Sequence, residues 1–204
     1  MGWYSRVVFP RLCDFLLDRP WMARLRRAQL AAAGGNILEI GAGTGLNLPH
    51  YPPDVRSLTT VEPSAAMNRL LERRAVRARV MLDRRIASAE RMPFENEAFD
   101  TVVSTLTLCS IGDARRAVRE IQRVLKPGGK FLFLEHGAAP EAGVRTWQRR
   151  LNPVQRIVGD GCRLDLDIAG LVRSVPFASL QIEQFYAHSL PRTHGAMYLG
   201  KAVR

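Results

Sequence analysis

The stretch Asn36-Ile37-Leu38-Glu39-Ile40-Gly41-Ala42-Gly43-Thr44-Gly45 constrains this chain more than any other. A short apolar run meets an acidic residue and then three glycines at every second position. The apolar run reads as a buried strand, and the glycines as a sharp turn leading towards a helix. A Cβ in such a turn would bar the positive φ angles or the close approach of a ligand. A dinucleotide-binding turn, G-x-G-x-x-G, would need its third glycine at position 46. That position is Leu46, so the pattern of nicotinamide and flavin proteins is not met.

Strand and helix patterns alternate downstream. Ser57–Glu62 reads as a second strand and Ala65–Ala78 as its helix. Arg79–Ser88 reads as a less regular third strand, ending at Ala89. Phe99–Leu106 is apolar and β-branched, as a buried strand requires, and Ala114–Leu125 is a helix that Asp113 can cap. Pro127-Gly128-Gly129 predicts a turn ahead of the strand Lys130–Glu135. Beyond residue 140 come a helix containing Trp147, a loop around Asp160-Gly161-Cys162, and strands near Leu180–His188 and Ala196–Val203. This alternation predicts an α/β fold, a doubly wound and mostly parallel seven-stranded sheet with helices on both faces. With 204 residues, 47% of them hydrophobic, and no repeat or low-complexity linker, a single domain over 1–204 is expected.

Residues 1–33 precede the first strand. Phe9, Leu12, Cys13, Leu16 and Leu17 form one apolar stripe at helical spacing, continued by Trp21, Leu25 and Leu30, and Pro10 and Pro20 should divide the region into two or three short helices. This segment reads as a helical cap on the core or as an interfacial helix that touches a membrane peripherally. The net charge is +11, with lysine only at Lys126, Lys130 and Lys201. Arginine clusters at Arg24–Arg27, Arg69–Arg85 and Arg145–Arg150 lie on helical patterns and read as solvated faces. No nucleic-acid motif with interleaved aromatics accompanies them, so nucleic acid is not the expected partner. Cys13, Cys109 and Cys162 form no C-x-x-C pair, which argues for a reducing compartment and against a disulfide framework or structural zinc. No apolar run approaches the roughly 18–20 residues that span a bilayer, and no signal peptide is legible, so a cytoplasmic address is expected.

In an open parallel sheet, ligands sit beyond the carboxyl ends of the strands, where strand order reverses. Glu39 and the glycines close the first strand; Glu62, followed by Pro63, closes the second. A carboxylate there suits a bidentate hydrogen bond to a ribose diol, or is simply a surface carboxylate. Ser88-Ala89-Glu90-Arg91-Met92-Pro93-Phe94 precedes the fourth strand, and Leu125-Lys126-Pro127-Gly128-Gly129 the fifth.

These four ordered segments resemble the motifs of class I S-adenosylmethionine-dependent methyltransferases. In that family an acid-alanine pair recognises adenine ahead of an apolar-Pro-Phe turn. Here Ser88 stands at the usual Asp position, which leaves the adenine-amino contact to Glu90 or to a backbone carbonyl. A longer series is more specific: Asn47, Tyr51-Pro52-Pro53, Thr105-Leu106-Thr107-Leu108-Cys109-Ser110, Glu135-His136, Trp147, Asn152-Pro153 and Asp160-Gly161-Cys162. It resembles the methyltransferase-like 7 proteins, thiol S-methyltransferases that are membrane-associated in animals. Their apolar N-terminal anchor has no counterpart in the arginine-rich residues 1–33.

The resemblance implies S-adenosylmethionine as cofactor and a small molecule, a thiol foremost, as methyl acceptor. It implies a cofactor-binding half over 34–138 and a substrate-side half over 139–204. Glu39, Gly41, Ala42, Gly43, Gly45 and Asn47 would surround the methionine part, Glu62 and Pro63 the ribose, and Ser88, Ala89 and Glu90 the adenine. Thr105 and Leu106 would touch the cofactor where it faces the acceptor. His136 is the candidate general base, or a residue that shapes the pocket, and Asp160 would orient it or act in its place. His188 and His194 lie on more peripheral elements. Trp147 would line the substrate side or pack its helix onto the sheet. Cys109 and Cys162 are buried hydrophobes or thiols beside the substrate. His136, Asp160 and Cys162 follow no recognised metal spacing, so no metal is expected. Methylation of a lipid headgroup, a quinone or another N- or O-nucleophile competes with the thiol reading. A cofactor-sensing or RNA-associated binding protein is the alternative outside enzymes. Oligomeric state is not legible.

Overall fold

The computed structural model describes residues 2–55, 57–78 and 80–204. A π-helical turn (Tyr4–Val8) leads into α1 (Phe9–Leu17) and α2 (Pro20–Leu30). The remaining elements are β1 (Ile37–Ile40), β2 (Ser57–Val61), α3 (Ala65–Ala78), β3 (Met81–Arg85), β4 (Phe99–Thr105), α4 (Ala114–Val124), β5 (Leu125–His136), α5 (Ala142–Val158), α6 (Ile168–Arg173), β6 (Ser179–Tyr186), α7 (Arg192–Gly195) and β7 (Ala196–Val203).

The strands form one mixed seven-stranded sheet in the order β3-β2-β1-β4-β5-β7-β6. The four pairings from β3 to β5 are parallel, and β7 runs antiparallel to both β5 and β6. The order reverses beside β1, whose neighbours are β2 and β4, so the crevice between their carboxyl ends is the natural place for a ligand. All four residues of β1 are buried, as a strand covered on both faces demands. One core cluster packs Ile121 of α4 and Leu171 of α6 against Leu38, Val102 and Phe131. A second, on the other face, packs Leu30 of α2 and Leu71 of α3 against Ile37, Leu58 and Val103.

Several elements depart from expectation. The glycine turn does not enter an α-helix; it continues into a short 3-10 turn, Leu48–His50. Pro49, Pro52 and Pro53 remove the backbone donors that an α-helix there would use. Of the expected third strand, Arg79 lies outside the described residues, the strand itself is Met81–Arg85, and Ser88 and Ala89 fall beyond it. Pro127-Gly128-Gly129 does not separate a turn from a strand. β5 already pairs with β4 at Leu125 and resumes at Lys130, so the three residues form a bulge within one strand. Gly128 takes φ 76° there, and its N–H reaches the Arg204 carbonyl at 2.9 Å. Pro10 does not break the helix: the chain runs from the π-helical turn into α1 without interruption, the Phe9 N–H bonding the Tyr4 carbonyl five residues back. Asp113 caps α4 as expected, accepting from the Arg116 N–H at 2.9 Å.

Gly200 of β7 lies opposite Phe133 of β5. A Cβ on Gly200 would fall 2.1 Å from Phe133 Cζ, and the Phe133 ring is fully buried and packed on Phe131 at 5.1 Å between centroids. Gly200→Ala is therefore expected to destabilise the fold by about 2–3 kcal/mol through overpacking. An unchanged thermal midpoint would show that the ring has room to move.

Candidate active site

A cavity of ≈ 330 Å³ lies over the carboxyl ends of β1, β2 and β4. Of the residues singled out in the sequence, Glu39, Gly41, Ala42, Gly43, Glu62, Pro63, Ser88, Ala89, Glu90, Thr105, Leu106 and Asp160 line it. Gly43, at φ 54°, presents an open face: a Cβ there would meet only the Gly41 carbonyl, at 3.8 Å. Gly45 has a different task. It does not line the cavity, and a Cβ on it would fall 2.8 Å from Leu71 Cδ1 of α3, so it allows close packing of the turn on that helix.

Glu39 is buried, and its two oxygens accept from Asn47 Nδ2 at 2.7 Å and Tyr51 Oη at 2.8 Å. Asn47 in turn accepts from Arg26 Nη1 at 2.6 Å and donates to Thr105 Oγ1 at 2.9 Å. Thr105 donates to Gln29 Oε1 at 2.8 Å. Asn47 and Thr105 thus hold Glu39 and α2 together. Burial pushes the Glu39 carboxyl up to about 7 against the pull of the Tyr51 and Asn47 hydrogen bonds and of Arg26. The same burial lowers the Arg26 guanidinium to about 10. In the unfolded chain Glu39 titrates near 4.5, so between about 4.5 and 7 the folded state binds the extra proton. Stability contributed by Glu39 is accordingly present below about 4.5 and declines by roughly 3 kcal/mol as pH rises to 7. Melting curves from pH 4.5 to 7.5 should lose this part of their slope in Glu39→Gln. An unaltered slope would mean that Glu39 is ionised throughout.

Glu62 accepts from the Gly43 N–H at 3.0 Å and the Ser64 N–H at 2.8 Å, so it organises the glycine turn. Burial raises its pKa, the two N–H groups opposing. Ser88 Oγ accepts from the Glu90 N–H at 3.1 Å, and the Glu90 carboxylate accepts from the Asp113 N–H at 2.7 Å. Glu90 is thus tied to the start of α4.

A second cavity, of ≈ 300 Å³ and mostly apolar, adjoins the first. Phe9, Cys13 and Leu17 of α1 line both, as does Leu106. Cys109, His136 and Cys162 converge in the second, with Sγ, imidazole nitrogen and Sγ all within 4.8 Å of one another. His136 Nε2 is 3.0 Å from Cys162 Sγ, and Gln155 Nε2 donates to the same sulfur at 3.5 Å. A hydrogen bond with Cys109 and burial push the Cys162 thiol well above its ordinary range, against the opposing pull of His136.

Leu106, between the cavities, takes φ 52°, a left-handed conformation that a leucine adopts only when its surroundings impose it. Glu135 supplies the constraint: it is fully buried and accepts from Ser104 Oγ at 2.6 Å, from the Thr107 N–H at 2.9 Å and from the Leu108 N–H at 3.1 Å. The sequence places Glu135 at the end of the fifth strand but gives it no role, because its partners Ser104, Thr107 and Leu108 lie 27 to 31 residues away.

Two expectations fail at the site. Asp160 is not joined to His136: its Oδ1 accepts from Ser5 Oγ at 2.8 Å, next to the Tyr4 hydroxyl bond to the Val158 carbonyl at 2.6 Å. Trp147 lines neither cavity and does not pack α5 onto the sheet; it is 57% exposed, with the Arg150 guanidinium 5.2 Å from its ring centroid. Arg26, within the run Arg24–Arg27 read as a solvated face, is buried, as is Gln29 one turn on. The Cys13 thiol, pushed up to about 12 by burial and Asp14, also faces both cavities. Asp14 accepts from Thr44 Oγ1 and from Arg74 at 3.0 and 3.1 Å, and Arg74 also donates to the Thr44 carbonyl at 2.8 Å, which fastens α1 to the glycine turn.

Residues 38–133 match the family described as a methyltransferase domain. Over 172 residues, 82% of this chain and 70% of the relative, the sequence is 36% identical to thiol S-methyltransferase TMT1B of Rattus norvegicus. Identity to thiol S-methyltransferase TMT1B of Homo sapiens is 33% over 181 residues, 86% of this chain and 74% of that one. A crystal structure described as a S-adenosylmethionine-dependent methyltransferase and possible histamine N-methyltransferase, from Thermotoga maritima, superposes with a TM-score of 0.70. It covers 98% of this chain and 97% of that one at 21% identity, a likeness of fold alone. Fold, glycine turn and family match together define a S-adenosylmethionine-dependent methyltransferase of class I. Within that class the chain belongs to the family of the thiol S-methyltransferases TMT1A and TMT1B.

Proposed function

We propose that this methyltransferase acts on a small thiol. The observation that carries the reading is the pair of adjoining cavities. One is walled by carboxylates and the glycine turn; the other is apolar and holds Cys109, His136 and Cys162. The first suits S-adenosylmethionine: the buried carboxylates Glu39 and Glu62 match its cationic and diol groups, and the open face of Gly43 admits close approach. When bound, that cofactor supplies a methyl group on a sulfonium. Glu39, Gly41, Ala42 and Gly43 surround the methionine part, with Asn47 and Thr105 positioning Glu39. Glu62 and Pro63 hold the ribose, and Ser88, Ala89 and Glu90 flank the adenine. Leu106 separates donor from acceptor, and placement of the two along one line does most of the catalytic work. A thiol of ordinary pKa near 8.5 is only a few per cent thiolate at pH 7, so the cluster around His136 assists its deprotonation. Residues 1–33 cap a single domain whose segments 34–138 and 139–204 serve cofactor and acceptor.

Transfer of labelled methyl from S-adenosylmethionine to a panel of thiols, sulfide, a catechol, amines and phosphatidylethanolamine vesicles tests this. Label on thiols alone is the expected result; label on oxygen, amine or lipid acceptors instead would discard the thiol.

A second reading, an acceptor held in a membrane, is favoured by apolar residues exposed around the second cavity. Phe15 is 67% exposed and Ile157 75%, beside Leu16 and Val158, which line that cavity. Among the described residues no helix is long and apolar enough to cross a membrane. Flotation with anionic vesicles, lost in Phe15→Asp, would support it.

A further inference from the structure

We propose that Cys109, His136 and Cys162 bind one zinc ion whose fourth coordination position opens into the apolar cavity. Three separate segments bring the ligand atoms together: the turn after β4, the end of β5 and the loop after α5. A tetrahedral zinc with two sulfur ligands and one nitrogen separates its ligand atoms by about 3.5–3.8 Å. The observed cluster brackets this, with 3.0 Å between His136 Nε2 and Cys162 Sγ and all three atoms within 4.8 Å. Closing the site requires the His136–Cys162 pair to open by about half an ångström through side-chain torsions.

The backbone around the cluster is already fixed. The Cys109 carbonyl accepts from the Arg163 N–H at 3.0 Å, and Cys162 N–H donates to the Gly159 carbonyl at 3.1 Å. Asp160, at φ 48°, and Gly161, at φ 98°, turn the loop so that Cys162 faces inward. Two thiolates and a neutral imidazole around a divalent cation carry no net charge, the form that an apolar cavity tolerates best. Soft sulfur donors with one imidazole select zinc over magnesium or calcium. Three protein ligands and an open fourth position are the arrangement of a reactive zinc rather than a structural one.

The role of the ion rests on the thiol reading above. Zinc binding releases the thiol protons of Cys109 and Cys162 to solvent; an acceptor thiol then displaces the water in the fourth position, forms a zinc–sulfur bond and releases its own proton to solvent, and no electrons change hands. The bound sulfur is held as thiolate at neutral pH, in the apolar cavity that Leu106 also lines.

The test is equilibrium dialysis of chelator-stripped full chain against zinc alone. The wild type should take up one equivalent, and Cys109→Ser and Cys162→Ser should each lose affinity by about 100-fold. Calorimetry with S-adenosylhomocysteine on the same variants reports whether they fold. Because either variant could misfold, wild-type protein loaded with cobalt(II) provides a second measurement. It should show thiolate-to-metal charge-transfer absorption that shifts when an acceptor thiol is added. Failure of the wild type to bind zinc stoichiometrically, equal affinity in folded variants, or a cobalt spectrum without thiolate bands would overturn the site. Thiol methylation by protein that binds no zinc would overturn it too while leaving the thiol reading intact. Stoichiometric zinc without thiol methylation would keep the site and remove the thiol.

Discussion

Replacing Glu135 by alanine is expected to destabilise the protein by about 4–6 kcal/mol, which would bring a fold of ordinary stability close to unfolding. The substitution leaves the buried Ser104 hydroxyl and Leu108 N–H, and the partly buried Thr107 N–H, with no acceptor. Each orphaned donor costs about 1–3 kcal/mol, and the void left by the side chain adds to this. Glu135→Gln keeps one acceptor oxygen and should cost about half as much. Urea unfolding with an unchanged slope and a lowered midpoint would register the loss. A cost below about 1 kcal/mol would mean that the turn holds its shape without the carboxylate. The effect should reach function as well, because the turn forces Leu106 to φ 52° between the two cavities.

The second large effect is expected on cofactor affinity. Glu62→Ala removes the acceptor for the Gly43 and Ser64 N–H groups as well as the proposed ribose contact. Two charge-assisted hydrogen bonds at about 1.5 kcal/mol each correspond to a loss of roughly 100-fold. Calorimetry with S-adenosylhomocysteine measures it directly. Unchanged affinity would remove Glu62 from the binding site and leave it as a brace for the glycine turn.

What could be read from the sequence follows from how local each signal is. Ala65–Ala78 and Ala196–Val203 were bounded correctly because helical and strand patterning are written in consecutive residues. The position of Glu62 at a strand end follows from the local strand pattern that begins at Ser57. The bulge at 127–129 is invisible locally, since only pairing with β4 on both sides reveals one strand where the residues spell a turn. The burial of Arg26 is equally non-local: nothing in an arginine-rich helix announces that one guanidinium faces Asn47 across a packed interior. The cluster at His136 escaped for a related reason. Cys162 lies 26 residues from His136 and Cys109 on another loop, so no spacing rule unites them. Asp160, the neighbour chosen from sequence in place of Cys109, turns away to Ser5.

The placement of α1 has a consequence for traffic through the molecule. Phe9, Cys13 and Leu17 form a party wall between two chambers, anchored by Asp14 on the glycine turn and by Tyr4 and Ser5 on the loop after α5. Any shift of that wall would reshape both chambers together, so the two spaces have one moving boundary in common.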